Sequence, residues 1–391
     1  MKFVIAMDSF KGSLTSLQAG RAVEQGIAAA LPEAECSVFA MADGGEGTMA
    51  ALTEALDGRV ETVALCGPLG QPIKSGYGEV RTAAGDRTAV VETAAICGLT
   101  MVAERERNPL LTTTRGLGEA IRHGLDAGIR RFIVGLGGSA TNDGGMGMLA
   151  ALGAEFRCAT GERLFGRGED LRRVDRVDLS GLDPRLEECV LIGASDVDNP
   201  LCGPDGATAV FGAQKGADPQ LRRRLDDDLA RYASLVEGEL QRRAGDGPPA
   251  ETNMARRAGA GAAGGLGFAL LALGGRLESG ARLVMEAIGL EEPIRRCDWV
   301  ITGEGRSDSQ TAFGKLPYQV AGLAEAAGKP CTLLSGSLGE DADRLEARFA
   351  GCFAAVSRPS GLQDCLEQAG PWLQAQARRI ALLVRAAARR G

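Results

Sequence analysis

Five short apolar runs in this chain each break into glycine mixed with acids or hydroxyls, and that repeat narrows the folds open to it. FVIAM (3–7) leads into Asp8-Ser9-Phe10-Lys11-Gly12-Ser13, and VFAMA (38–42) into Asp43-Gly44-Gly45-Glu46-Gly47. FIVGL (132–136) leads into Gly137-Gly138-Ser139-Ala140-Thr141-Asn142-Asp143-Gly144-Gly145. VLIGA (190–194) ends in Ser195-Asp196-Val197-Asp198-Asn199, and WVIT (299–302) in Gly303-Glu304-Gly305-Arg306-Ser307-Asp308. Parallel α/β sheets bind ligands in the crevice beyond the carboxyl ends of their strands. Loops of this composition would gather carboxylates, hydroxyls and free backbone amides there. Such an inventory suits a charged, oxygen-rich ligand and a hard metal ion.

The order of the runs suggests how the chain is organised. Strand 3–7 is followed by a helix that the Thr15/Gln18 capping-box spacing starts near residue 15. Strand 37–42, helix TMAALTEALDG and a third strand VETVAL (60–65) then complete a βαβαβ pattern, the mark of a parallel sheet with helical crossovers. After residue 298 the style returns: strand, helix LPYQVAGLAEAAG with Pro317 near its first turn, strand CTLLSG, helix DADRLEARFAG, strand CFAAV and a long closing helix. Between these blocks short strands mix with irregular loops, and a Gly/Ala/Pro-rich stretch (244–265) precedes the second regular block. The expected fold class is α/β: a discontinuous Rossmann-like parallel-sheet domain from both chain ends (1–69 and 286–391) and an inserted α/β domain (70–285). Periodicity alone leaves open two separate sheets.

Composition removes several function classes. A chain of 391 residues is long for one core. The net charge of −7 argues against a nucleic-acid surface, and no apolar run approaches the ~20 residues of a membrane-crossing helix. The opening MKFVIAMDSF is read as no signal peptide, because Asp8 ends its apolar run too early. Ten cysteines occur without a Cys-x-x-Cys pair, and are read as reduced thiols in a cytoplasm. His123 is the only histidine, and it falls opposite the Leu117/Ile121/Leu125 stripe of its helix. A Ser-His-Asp triad or a histidine-built metal site is thereby disfavoured, and acid–base work passes to Asp, Glu, Lys or Tyr. Six lysines stand against 38 arginines, so a lysine inside a glycine/serine turn carries weight.

Each loop has a chemical reading and a plain one. Lys11 meets a phosphate or carboxylate at a helix start, with Asp8 on a hydroxyl or metal; otherwise Ser13 or Thr15 merely caps the helix. Gly45 and Glu46 lie in a turn where glycine lets a ligand approach the backbone, or in a solvated turn. Gly135–Ala140 matches the loose dinucleotide pattern G-x-G-x-x-[GA], but the following Thr141–Gly145 suits an anion-binding nest better than an uninterrupted helix. Asp196, Asp198 and Asn199 offer oxygen ligands or a base, or an Asx turn before Pro200. Arg306 clamps an anion, or pairs with Glu304 or Asp308. No Walker A sequence is present.

Together the stretches MDSFKGSLTS, ADGGEGT, GLGGSATNDGGMGML, ASDVDNPLCG, FGAQKGA, GAGAAGGLGFALLAL and VITGEGRSDSQTAFGK, in this order from residue 7 to 315, resemble the bacterial glycerate kinases of the first type. The 157–185 segment and the Arg-rich tail carry nothing that matches. The resemblance implies ATP- and Mg²⁺-dependent transfer of the γ-phosphoryl group to D-glycerate, at C2 in the bacterial members of this type. It also implies a Rossmann-like domain from both chain ends, an inserted domain and an active cleft between them.

On this reading Asp196 is the base facing the C2 hydroxyl, with Asp8 as the alternative. Lys11 and Arg306 take the anions. Ser9, Ser13, Gly45, Glu46, Gly137, Gly138, Ser139, Thr141, Asn142, Asp143 and Asn199 surround phosphate or glycerate, and Asp198 and Asp308 are the metal candidates. The expected partners are D-glycerate and MgATP, with no nucleic acid and no membrane, in a cytoplasmic monomer or homodimer. Phosphorylation at C3, an NAD-dependent hydroxy-acid dehydrogenase and a non-catalytic sugar-acid sensor remain as alternatives.

Overall fold

The structure, a computed structural model, describes residues 1–82, 85–245, 253–308, 311 and 315–388. Residues 246–252 of the Gly/Ala/Pro-rich stretch, 309–310 and 312–314 of the last motif, and Arg389 and Arg390 of the tail lie outside the described residues. In chain order the strands are β1 (Lys2–Met7), β2 (Glu35–Ala40), β3 (Arg59–Cys66), β4 (Pro72–Arg81), β5 (Arg87–Glu92), β6 (Arg131–Gly135), β7 (Glu155–Cys158) and β8 (Val174–Asp178). They continue as β9 (Val190–Ala194), β10 (Arg276–Glu278), β11 (Trp299–Gly303), β12 (Arg306–Ser307), β13 (Cys331–Ser335), β14 (Ser337–Leu338) and β15 (Gly351–Ala354).

The chain divides into two compact units: Met1–Asp43 with Ala50–Leu56 and Ala281–Gly391, and Gly44–Met49 with Asp57–Gly280. The first is built on a parallel sheet ordered β15-β13-β11-β1-β2. The fold class is therefore the expected one, with strands from both chain ends in one sheet. Strand β1 runs to β2 on one side and to β11 on the other, so the order turns back between β1 and β11. In an open α/β sheet that is the switch point where a crevice forms.

Local sequence explains how helices cover this sheet. Thr15 accepts from the Gln18 backbone N–H at 3.2 Å, and Gln18 returns a bond from the Thr15 N–H at 2.9 Å, closing the capping box at the head of helix Ser16–Ala30. Its buried Ala19, Val23 and Ile27 join Phe3, Ile5 and Met7 of β1 and Leu373, Ala377 and Ile380 of helix Ala369–Ala388 in one core. Gly26 allows these helices to approach: a Cβ there would stand 2.3 Å from the Gln374 carbonyl oxygen. The expected helix over DADRLEARFAG is instead a short 3₁₀ turn, Ala342–Leu345.

The second unit carries a mixed sheet ordered β10-β9-β6-β5-β4-β3. Strands β10, β9, β6 and β5 are parallel, while β5, β4 and β3 form an antiparallel meander. Here the structure corrects the sequence reading. VETVAL belongs to β3 and pairs antiparallel with β4, so residues 57–69 lie in this unit and not with the N-terminal strands. The cause is the turn after it: Gly67 donates to the Gln71 carbonyl at 2.7 Å and closes a hairpin. Leu117, Ile121 and Leu125 are buried as their spacing predicts, beside Phe132 and Val134 of β6. His123 is exposed, and its Nδ1 lies 3.1 Å from the Tyr77 hydroxyl. Among the described residues no helix is long and apolar enough to cross a membrane.

Candidate active site

In the first unit, the loops after β1 and β11 meet at the switch point. The Asp8 N–H donates to Gly303 O at 2.8 Å, and Ser9 N–H donates to the Asp8 carboxylate at 2.6 Å. Asp8 is only 7% exposed. Burial first, then the charge of Asp43 and more weakly that of Glu304, pushes its pKa to about 8, against the pull of the Ser9 N–H and Lys11. A carboxyl that ionises near neutral pH can both donate and accept a proton there. Lys11 and Arg306 are exposed, whereas Ser9 and Ser13 are half-buried. The Ser13 hydroxyl donates to Leu366 O at 2.6 Å, tying the Lys11 loop to helix Leu362–Glu367.

Arg306 pairs with Asp308 at 3.7 Å. Glu304 is buried and accepts from the Ser307 and Thr311 hydroxyls at 3.0 and 2.7 Å, with Lys315 Nζ 3.7 Å away. Glu304 is thus a functional candidate, although the sequence marks it only as an ion-pair partner of Arg306. Short strands β12 and β14 pair in parallel and carry the β11 and β13 backbones past the sheet edge.

The second unit gathers three of the expected loops. The Gly137 N–H donates to Gly44 O at 3.1 Å, and a Cβ on Gly44, whose φ is +87°, would stand 2.6 Å from Ala194 O. The glycines therefore let the 44–47 turn sit directly on the ends of β6 and β9, where Ser195–Asn199 begins. Gly45 is buried and Glu46 exposed. Glu92, unflagged by the sequence, fixes this turn by accepting from the Gly47 and Met49 N–H groups at 3.1 and 3.0 Å. Its burial raises its pKa, and Glu46 adds to the rise.

Residues 137–145 form a loop, and helix Met146–Ala151 starts only after it, which removes the helix that a dinucleotide fingerprint requires. Gly138, Gly144 and Gly145 adopt positive φ. Asn142 and Asp143 were expected to face an anion, but both are fully buried with partners of their own. Asn142 Nδ2 donates to the Thr208 hydroxyl at 3.0 Å. Asp143 accepts from the Thr114 N–H and hydroxyl, both at 2.8 Å, and from the Gly145 and Gly147 N–H groups at 3.1 and 3.3 Å. These side chains shape the loop. Thr141 is likewise fully buried, and Ser139 nearly so.

In the sequence Lys215 stands out only as part of FGAQKGA. Its buried Nζ donates to Ser139 Oγ at 2.9 Å and Thr141 O at 2.7 Å, and burial pulls its pKa down to about 8. A scarce lysine between glycines was the available signal. Asp196 is half-buried, Asp198 exposed, and Asn199 donates through Nδ2 to Asp205 O at 2.7 Å.

Comparison with known proteins decides the kinship. The glycerate kinase family profile matches residues 3–385. The chain belongs to the glycerate kinase family. It is 43% identical over 390 residues to a glycerate kinase of Bacillus subtilis (strain 168), covering 99% of this chain and 98% of that one. It is 44% identical over 343 residues to the glycerate 2-kinase of Escherichia coli (strain K12), covering 87% and 86%. A crystal structure described as a glycerate kinase 2 from Salmonella typhimurium LT2 is similar at 42% identity and a TM-score of 0.83, over 100% of this chain and 99% of that one.

Proposed function

We propose that this chain transfers the γ-phosphoryl group of MgATP to the C2 hydroxyl of D-glycerate, giving 2-phospho-D-glycerate and ADP. The family match over residues 3–385 carries the reading. The name of the Escherichia coli relative, glycerate 2-kinase, favours C2 over C3.

Phosphoryl transfer asks a protein chiefly for positioning and charge neutralisation. The proposed C2 oxygen attacks the γ-phosphorus, the bond to the ADP oxygen breaks, and the hydroxyl proton passes to a carboxylate. Asp196 is the proposed base, and Asp8, whose pKa is raised to about 8 first by burial and then by the charge of Asp43, is the second candidate. Lys11 and Arg306 are proposed partners for the anionic groups. Glycine-supported backbone around 45 and 137–138 approaches an anion without side-chain obstruction.

Magnesium that arrives on ATP needs only one or two carboxylates, because phosphates and water complete its octahedron. Among the described residues no group of three or more His, Cys, Asp or Glu is placed to hold a metal. Asp308 and Asp198 are the single carboxylates proposed to meet it, and the ion would supply neutralisation of the phosphate oxygens.

The test is ADP release from the purified chain with ATP and D-glycerate, followed by NMR of the product. A 2-phosphate supports the proposal; a 3-phosphate rejects the regiochemistry. Binding of NAD⁺ with no ADP release rejects the kinase reading.

A further inference from the structure

We infer that a cavity in the first unit seats the purine ring of the nucleotide, with Lys11 and Arg306 directed to its phosphates; this rests on the kinase reading above. The cavity measures about 300 Å³ and is lined by the segments that follow β1, β11, β13 and β15 and by helices Leu362–Glu367 and Ala369–Ala388. It therefore lies beyond the carboxyl edge of the parallel sheet, beside the β1/β11 switch point. Small-ligand pockets start near ~300 Å³, so this one has room for a single heterocycle and leaves ribose and phosphates outside.

The chemistry of the wall separates the two substrates. Phe10, Val356, Leu366 and Trp372 form its apolar surface, while Lys11 and Arg306 are the cations along it. Glycerate carries a carboxylate and two hydroxyls on three carbons. Lys11 and Arg306 could take its carboxylate, but it has no apolar face to set against Phe10, Val356, Leu366 and Trp372. A purine has two apolar faces that gain from burial and a polar edge that the Ser9 and Ser337 hydroxyls in the wall can meet.

The cation loop is also fastened to the apolar wall. Ser13, two residues from Lys11, bonds to Leu366 O at 2.6 Å. A base against Leu366 and a phosphate on Lys11 would thus be read by one connected piece of structure.

Tryptophan supplies a direct readout. The chain has two, and Trp299 Nε1 donates to the Thr332 hydroxyl inside the sheet at 2.9 Å. In a Trp299→Phe variant, emission reports Trp372 alone. ADP should shift or quench that emission with saturation, and D-glycerate should not. Filling the cavity with Leu366→Trp should raise the KM for ATP at least ~10-fold while the KM for D-glycerate stays within about twofold, a shift of ~1.4 kcal/mol confined to the nucleotide.

Photolabelling of the unmodified chain with 8-azido-ATP avoids any folding effect, and the label should map to 353–373. Label in 57–280, a Trp372 response to D-glycerate but not ADP, or a KM change confined to D-glycerate overturns the assignment. If the unmodified chain still releases ADP with D-glycerate in that case, the kinase reading survives and only the purine pocket falls. Absence of that turnover removes both.

Discussion

Asp8 and Asp143 occupy similar sequence settings, each in a glycine-containing turn after an apolar strand, yet their surroundings differ. Asp143 in the second unit accepts from the backbone N–H groups of Gly145 in its loop and Gly147 in the helix that follows, and from the N–H and hydroxyl of Thr114. Asp8 in the first unit accepts from the Ser9 N–H and lies within the fields of Asp43 and Glu304. Burial raises both pKa values, but at Asp143 the opposing causes are hydrogen bonds, whereas at Asp8 neighbouring charge adds to the rise. One carboxylate therefore organises a loop, and the other, with a single donor and acid neighbours, is the one proposed for proton chemistry. The number of donors aimed at an acid, which short sequence motifs do not display, separates the two roles.

The contrast can be broken at several points. The largest effect is expected on turnover: Lys11→Ala and Asp196→Ala should each lower kcat by at least ~100-fold with the melting temperature little changed. Near-normal rates in both would reject the site assignment and leave the family membership standing. Asp143→Ala should act on stability, since it strands several buried donors; a loss of about 2–4 kcal/mol is expected in urea titrations. An unchanged unfolding midpoint would mean that the loop needs no internal acceptor.

Asp8→Asn should do the reverse. An unfolded aspartate titrates near ~3.9, while folded Asp8 titrates at about 8. Between these values the folded chain holds a proton that the unfolded chain has released, so the wild type loses stability as pH rises through the window. The variant escapes that loss. Its melting temperature relative to wild type should climb from pH 5 to pH 8 and then level off, while its activity falls. A difference that stays flat with pH would remove Asp8 from the pair. The smallest effect, about 1 kcal/mol, is expected for Thr15→Ala at the capping box, read by urea unfolding with activity retained.

Much of the fold was legible because apolar runs and cap chemistry are local. Strand β1, the Thr15 cap and the Leu117/Ile121/Leu125 stripe all depend on spacing within one element. Strand β3 was misplaced because alternation in VETVAL fixes which side chains share a face, not the direction of the partner strand. Gly76 shows how tightly that partner fits, since a Cβ there would come 1.7 Å from Glu61 O.

The site was legible as a set of loops and less so as a set of roles. Glu92 and Lys215 work by bonding to backbone far along the chain, at Gly47 and Met49 for one and Thr141 for the other. The wall formed by Leu366 and Trp372 is likewise a product of helix packing. No window of neighbouring residues announces it.

The pairing of β1 with β11 bears on how the chain emerges from a ribosome. Phe3 finds its register partner at Trp299, 296 positions later (299 − 3). At ~5–20 residues per second that partner is made about 15–60 s after Phe3. Throughout that wait a strand of FVIAM composition has only its β2 side satisfied, while most of the second unit's chain is already available to collapse. Nascent chains stopped before residue 299 should therefore show protease-resistant fragments from 57–280 first, with the opening strand protected last, and the early apolar segment is where a holding chaperone would be most needed.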